Sequence, residues 1–178
     1  MRDRLLWVIV LTLGACQKYP AQQILPKTTQ KGAHTLGFYL NKESWIPLDR
    51  GYYKDYELPK PQLSKEGGIK ISATRIDEYN YCRNWFCIEV AENICEGGTF
   101  NLSNKVCKVP YQTYYYGSNK NRANLSYEID TINPHYITFS CVDTVNGIVS
   151  GIFEFNAVSN LNDTLEFRSG RFDLKLEQ

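Results

Sequence analysis

The amino-acid sequence predicts an all-β domain, an antiparallel β-sandwich or meander of about ten short strands. Short runs of alternating apolar and polar residues recur at intervals of roughly 8 to 15 residues, with Gly, Asn, Asp and Pro between them. No window places apolar residues at the i, i+3, i+4 and i+7 positions of an amphipathic helix. A closed, lipocalin-like barrel is the alternative arrangement of the same strands.

The first strands of the domain are predicted to form a hairpin. Residues 35–40 and 44–46 lie on either side of an Asn-Lys-Glu turn, and this spacing places Trp45 against the sheet. Residues 52–68 contain two prolines and two final glycines, which favour a loop. A single short helix is expected within it, near residues 63–66.

The middle of the chain contains two clear alternating segments, residues 69–74 and 86–90, each with one row of side chains that faces the core. The predicted inward residues are Ile69, Ile71, Ala73, Phe86, Ile88 and Val90. Further strands are predicted at residues 98–102, 106–109, 112–116, 125–129 and 136–142.

The last third of the chain continues the pattern. Residues 148–158 follow an Asn-Gly turn and direct Phe153 to the core face. Residues 164–167 and 171–176 are predicted to form a final hairpin through a Ser-Gly turn. In that hairpin Asp173 points outward, among polar residues.

The N-terminus is typical of an export signal. Arg2 and Arg4 precede an apolar run at residues 5–15. This run is shorter than the ~20 residues of a membrane-spanning helix and lies within the roughly 7 to 15 of a signal-peptide core. It ends in Leu-Gly-Ala-Cys, which resembles the lipobox of bacterial lipoproteins. We therefore expect cleavage before Cys16 and a diacylglycerol thioether on its sulfur.

This processing divides the chain into three parts. Residues 1–15 are a lipoprotein signal peptide, residues 16–32 are the lipidated cysteine with a flexible tether, and residues 33–178 are a single all-β domain. The expected location is the outer membrane of the cell envelope, with the domain facing either the periplasm or the cell surface. Without its signal the chain is formally neutral, which argues against nucleic acid as a partner.

Five cysteines remain beside the lipidated one, in a compartment where disulfides form. Their connectivity is open. Cys95 with Cys107 is the leading candidate pair, because the two residues flank a predicted strand and turn, and Cys82 with Cys87 is the next. Cys141 alternates with apolar residues and is interpreted as a small buried side chain.

The aromatic residues offer a candidate binding surface. Because side chains alternate along a strand, Tyr114 and Tyr116 share one face, whereas Tyr115 takes the other. Exposed tyrosines at these positions suit a sugar or a protein partner. The alternative is cross-strand packing within the sheet.

No pattern of residues specifies an enzyme, a metal or a cofactor. His34 and His135 are isolated, without a zinc-ligand spacing. Glu128 with Asp130, and Glu154 with Asp173, are conceivable acid–base pairs, but outward strand positions explain them better. We expect a non-enzymatic binding or accessory lipoprotein, with a glycan or an envelope protein as partner. A cell-envelope hydrolase and a carrier of small apolar ligands are the alternatives.

Residues 25–37 are similar to a leading L-P-x-A-T-x-x-G-x-N-T-F-G motif, with His34 and Thr28 as departures, and residues 169–174 are similar to a terminal D-G-R-F-D-V. With these motifs the chain resembles a family of small lipoproteins of gut-dwelling anaerobic bacteria, a domain family of unknown function. Residues 41–47 and 143–155 extend the resemblance. It implies an envelope lipoprotein with a β-rich domain and no particular activity.

Three Asp-Thr-apolar tripeptides, which begin at Asp130, Asp143 and Asp163, are similar to O-glycosylation acceptors of such bacteria. The pattern is short, and ordinary turn chemistry is the alternative explanation for each.

Overall fold

The computed structural model describes residues 24–47, 59–77, 82–102, 109–111, 125–159 and 161–176. Within these residues the chain contains no helix and forms antiparallel strands in two sheets that do not close into a barrel. The predicted all-β fold is confirmed, and the barrel alternative is wrong for this part of the chain. The strands are β1 (Thr35–Leu40), β2 (Glu43–Trp45), β3 (Lys60–Leu63), β4 (Ile69–Asp77), β5 (Cys82–Val90), β6 (Thr99–Asn101), β7 (Val109–Tyr111), β8 (Leu125–Ile129), β9 (Tyr136–Asp143), β10 (Ile148–Ser159) and β11 (Thr164–Lys175).

The larger sheet is organised around β10. One edge of β10 pairs with β11, and its other edge is shared by β9 along residues 148–154 and by β8 along residues 157–159. The sheet continues through β1 and β2 beyond β11, and through β6 and β7 beyond β9 and β8. β10 and β11 are the two longest strands, and all the remaining strands of this sheet connect to them directly or through one neighbour.

The smaller sheet, β3-β4-β5, packs against the inward face of the larger one. The Phe86 ring on β5 lies 4.8, 5.5 and 6.1 Å from the ring centroids of Phe38, Phe153 and Phe167. Ring pairs at about 4.5–7 Å stabilise a core beyond the area that they bury. These contacts join both sheets into one sandwich core. The six inward residues predicted on β4 and β5 are all buried: Ile69, Ile71, Ala73, Phe86, Ile88 and Val90.

The β1–β2 hairpin confirms the prediction. Asn41 and Lys42 have φ of 48° and 74°, the left-handed values that a tight two-residue hairpin turn requires. Trp45 is buried and stacks on Phe38 at a centroid distance of 4.7 Å. The turn therefore brings a large aromatic side chain onto the core.

The strands predicted at residues 98–102, 125–129, 136–142 and 148–158 correspond to β6, β8, β9 and β10. Of the strand predicted at residues 106–109, only Val109 is described, and it begins β7, which continues to Tyr111. Residues 103–108 and 112–116 lie outside the described residues.

The predicted final hairpin is wrong, because β11 runs continuously along β10. Phe153 lies opposite Gly170 and Phe155 opposite Phe167, so β11 carries one residue more than β10 in this interval. Ser169, with φ of 52°, occupies the resulting β-bulge. The Ser-Gly pair that favours a turn in the sequence instead bends a continuous strand.

A second bulge corrects the interpretation of Cys141, whose side chain is half-exposed and not buried. The β9–β10 register shifts by one residue at Ser140. The shift moves the inward direction from Cys141 to Val142, which packs against the core.

The short helix predicted near residues 63–66 is wrong. Leu63 ends β3, and a turn follows in which the Ser64 hydroxyl accepts a hydrogen bond from Gly68 N at 3.0 Å. β3 itself falls within the predicted loop. Its Pro61 is compatible with a strand because β3 is the edge of its sheet and pairs only with β4.

A substitution at Gly170 tests how tightly the core packs at the bulge. A Cβ atom at this position would lie 2.4 Å from Phe153 Cε2, so we expect Gly170→Ala to lower the free energy of unfolding by about 2–4 kcal/mol. Gly97→Ala is the control, because Gly97 has φ of 75° but no atom within 4 Å of the added methyl. It should cost only about 1 kcal/mol of backbone strain. Urea unfolding measures both, and equal losses would contradict a steric role for the Phe153 ring.

Candidate functional site

The chain that precedes β1 lies on the outward face of the larger sheet. Leu25 is 6% exposed, and the Pro26 carbonyl accepts a hydrogen bond from Arg171 at 3.4 Å. Gly37 allows this approach, since a Cβ atom there would lie 2.7 Å from Pro26 Cδ. We call residues 25–32 the docked segment. The predicted flexible tether, residues 16–32, therefore ends earlier than expected: its described part from Leu25 onward belongs to the folded domain.

A buried carboxylate holds the docked segment in place. Asp173 on β11 lies opposite Thr35 of β1 and Ser150 of β10, and is 1% exposed. It accepts hydrogen bonds from the Thr29 hydroxyl and from Lys31 N, which lies 3.0 and 3.1 Å from the two carboxylate oxygens. Gly32 N and the Ser150 hydroxyl also donate to it, each at 2.8 Å. Both oxygens of Asp173 are therefore used, and most of their donors come from the docked segment.

The protonation state of Asp173 follows from these contacts. Burial raises the pKa of this carboxyl group, but the hydrogen bonds from Thr29, Lys31, Ser150 and Gly32 lower it more, to about 2. Asp173 is therefore ionised at neutral pH. Hydrogen bonds to a charged acceptor are stronger than neutral ones, so this carboxylate is the main polar anchor of the segment.

Sequence reasoning missed the role of Asp173. An acid between Phe172 and Leu174 on a strand is ordinarily a solvated outward residue, and Asp173 does lie on the outward face. The docked segment covers it. A signal was present in the sequence, because Thr29, Gly32 and Asp173 lie within residues 25–37 and 169–174, the two terminal segments for which the sequence predicts a shared motif.

Removing the carboxylate should release the docked segment. Asp173→Asn loses the charged acceptor, and we expect about 2–3 kcal/mol lower stability and roughly tenfold or faster tryptic cleavage after Lys27 and Lys31. Glu166→Gln is the control, because Glu166 is an exposed carboxylate on the same strand. Equal cleavage rates in the two variants would show that Asp173 does not hold the segment.

The same carboxylate predicts a pH dependence. Because the pKa of Asp173 falls from 3.8 to about 2 on folding, its contribution to stability is complete above 3.8 and is lost as the pH falls towards 2. The stability difference between the wild type and Asp173→Asn should therefore be constant from pH 7 to about 4 and shrink below it. Urea titrations at several pH values measure the difference. A difference that grows on acidification would reverse the assigned sign.

A small apolar groove of about 180 Å³ lies where the docked segment meets β1 and the residues after β2. Ile24, the residue immediately before this segment, lies at the rim of the groove and is 89% exposed. The other principal lining residues are Pro26, His34, Ile46, Pro47 and Pro59. The groove is thus formed partly by the chain that leads toward the predicted lipid attachment site.

The structure does not bring the conceivable acid–base residues together. Glu154 accepts hydrogen bonds from Ser169 N at 3.1 Å and Tyr136 Oη at 3.4 Å. Asp173 lies opposite Ser150, which precedes Glu154 by four residues on β10. The two carboxylate residues are therefore roughly 13 Å apart along the strand direction. Glu128 is exposed, and the neighbouring Asp130 is engaged in its own turn.

The two histidines are also separate. His34 lines the groove, and His135 Nδ1 lies 2.6 Å from the Asn133 carbonyl oxygen. Within the described ranges no group of three or more His, Cys, Asp or Glu residues is placed to hold a metal ion.

Only some of the predicted cysteine and tyrosine sites lie within the described residues. The Cys95 side chain is exposed and forms no disulfide with another described residue, and Cys107 lies outside the described residues, so their bridge stays a prediction. Burial raises the pKa of the Cys87 thiol to about 11, despite the lowering effect of Lys70, which makes it a poor nucleophile at neutral pH. Cys16, Tyr114 and Tyr116 also lie outside the described residues.

Comparison of the chain with protein-family models, curated proteins and solved structures found no match. Among the residues that the structure describes, no helix is long and apolar enough to span a membrane.

Proposed function

We propose that this protein is an envelope lipoprotein, anchored through Cys16 in the outer membrane, that acts as a non-enzymatic accessory or binding module for another envelope protein. The observation that carries the proposal is the docked segment, which joins the chain leading from Cys16 firmly to the sheet. Eight residues lie between Cys16 and Leu25, and the stretch from Cys16 to Leu25 reaches at most about 30 Å when extended. The docked face would therefore stay close to the bilayer.

The groove beside the docked segment supports a protein partner. Its volume of about 180 Å³ is below the roughly 300–1,000 Å³ of small-molecule pockets, and its lining is apolar apart from His34 and Thr35. An open surface of this kind suits one or two apolar side chains of a protein. Since the groove adjoins the segment that leads to Cys16, a partner at the membrane surface would be within reach.

The other candidate functions have less support. A carrier of apolar ligands needs a large internal cavity, whereas the described core is filled by contacting rings such as Phe155 and Phe167 at 4.2 Å. A hydrolase needs converging polar groups in an open cleft, whereas the Asp173 carboxylate is buried beneath the docked segment and Glu154 lies roughly 13 Å from it along the sheet. Glycan binding through Tyr114 and Tyr116 remains the second candidate, and it rests on the sequence alone.

The anchor is tested by Cys16→Ser, which removes the acylated sulfur. We expect the variant to move from the membrane to the soluble fraction of the envelope, whereas Cys95→Ser stays with the membrane. Retention of Cys16→Ser in the membrane would contradict lipid anchoring at this residue.

The partner is tested in the same cells by photocrosslinking. A photoreactive amino acid at Ile24 should crosslink to one membrane-associated protein. The control position is Leu161, which is 70% exposed but lies beyond the opposite end of β11, roughly 30 Å from Asp173. The proposal of a protein partner at the groove would be overturned if the same crosslinked product formed equally from Ile24 and Leu161. It would also be overturned if glycosidases, but not proteases, removed the crosslinked partner.

A further inference from the structure

β6 is an edge strand of the larger sheet, and within the described residues it pairs only with β9. The carbonyl of Gly98, just before β6, accepts a hydrogen bond from β9 at 3.0 Å, and the N–H of Leu102, just after β6, donates one to β9 at 2.8 Å. Every second residue of an antiparallel strand faces the same neighbour, so Phe100 belongs to this set. The backbone N–H and C=O groups of Thr99 and Asn101 therefore point away from β9, to the open side of the strand.

β6 lacks the features that usually protect an open edge. Natural edge strands are blocked by charged side chains, by proline or by a covering segment. The stretch from Gly98 to Leu102 contains neither a charged residue nor a proline, and both Thr99 and Asn101 are exposed. Each of the other edge strands that the structure describes carries one of these features: Glu43 on β2, Pro61 on β3, Glu89 on β5 and Pro110 on β7.

The open groups of β6 are complementary to those of a second copy. In an antiparallel pairing centred on Phe100, Thr99 lies opposite Asn101 of the second copy, and the reverse pair is equivalent by symmetry. Each pair exchanges two N–H···O=C hydrogen bonds, so the two pairs together form four. This register uses every N–H and C=O group that Thr99 and Asn101 direct to the open side.

Phe100 adds an apolar contact to the same pairing. Its ring is half-buried on the inward face and packs edge-on against Phe139, at a centroid distance of 5.8 Å. In this register Phe100 lies directly opposite its own copy, in the non-hydrogen-bonded position where facing side chains approach most closely. The two rings would then cover each other and extend the core across the junction.

We propose that two copies of this protein pair through β6 as antiparallel strands and form a symmetric dimer with one continuous larger sheet. The two-fold axis of such a pair is perpendicular to the sheet, so the outward faces of both copies lie on the same side. Each docked segment lies on that face. Both chains leading toward Cys16 can therefore reach one bilayer, a step that rests on the proposed function.

The pairing should be weak in solution and stronger at a membrane. An edge of three residues buries less than the roughly 1,200 Å² of stable protein interfaces. Anchoring confines the chains to one surface and raises their effective concentration, which favours the dimer without any new contact. A second copy anchored in the same leaflet is therefore the partner that these conditions supply best.

The test is photocrosslinking of the full chain in its own cells, with a photoreactive amino acid at Asn101. We expect a product that contains two copies of this chain, identified by its mass and by two different tags on coexpressed copies. The control position is Glu166, which is exposed in the same sheet but lies on the internal strand β11. It should give no such product.

Substitutions of Thr99 test the hydrogen bonds of the edge. Thr99→Pro deletes the N–H that points to the open side, so the dimer loses two of its four bonds and the crosslinked product should fall roughly tenfold or more. Thr99→Val is the matched control: both variants lose the 2.9 Å contact between the Thr99 and Thr138 hydroxyls, but only Val keeps the N–H and the dimer. Both should unfold at nearly the same urea concentration, because that N–H faces away from β9.

Three results would overturn the proposal: crosslinking from Asn101 to a different protein or to none, equal dimer in Thr99→Pro and Thr99→Val, or unfolding of Thr99→Pro alone. The last result would show that the Thr99 N–H is used inside the domain. Fractionation of the same cells separates this proposal from the lipid anchor. Dimer in the soluble fraction would support the pairing and contradict the anchor, whereas membrane-bound monomer would do the reverse.

Discussion

The buried Asp173 carboxylate is the interaction on which the arrangement of this molecule depends. It lies on the outward face of the larger sheet, where a strand acid would ordinarily meet water, and accepts hydrogen bonds from Thr29, Lys31, Gly32 and Ser150 instead. Burying a carboxylate costs little free energy only when both of its oxygens accept hydrogen bonds. The docked segment meets that condition, and in return the carboxylate fixes where the chain joins the domain.

This contact also joins the two terminal segments of the domain. Residues 25–32 and 169–174 are far apart in sequence but adjacent in the fold, and Thr29 and Gly32 each donate a hydrogen bond to Asp173. Gly32 has φ of 65°, a backbone conformation in which its N–H group reaches the carboxylate. Thr29, Gly32 and Asp173 therefore contribute to the structure of the domain.

The core imposes a second constraint, the close approach of aromatic rings to glycine backbone. Phe153 packs over Gly170 and Phe172 packs over Gly151, at positions where no side chain fits. The bulge at Ser169 sets the register that places the first pair. The outward surface is less constrained, and local hydrogen bonds to Asp130 and Asp143 hold the turns at the two ends of β9.

The sequence by itself determined the fold class, the inward rows of β4 and β5 and the β1–β2 hairpin, because alternation and turn residues are local signals. The pairing of distant strands was decided only in the tertiary structure. The bulges at Ser140 and Ser169 changed the exposure of Cys141 and turned a predicted hairpin into one strand, since a single extra residue reverses which face a side chain takes. The burial of Asp173 likewise depends on neighbours that no local pattern encodes.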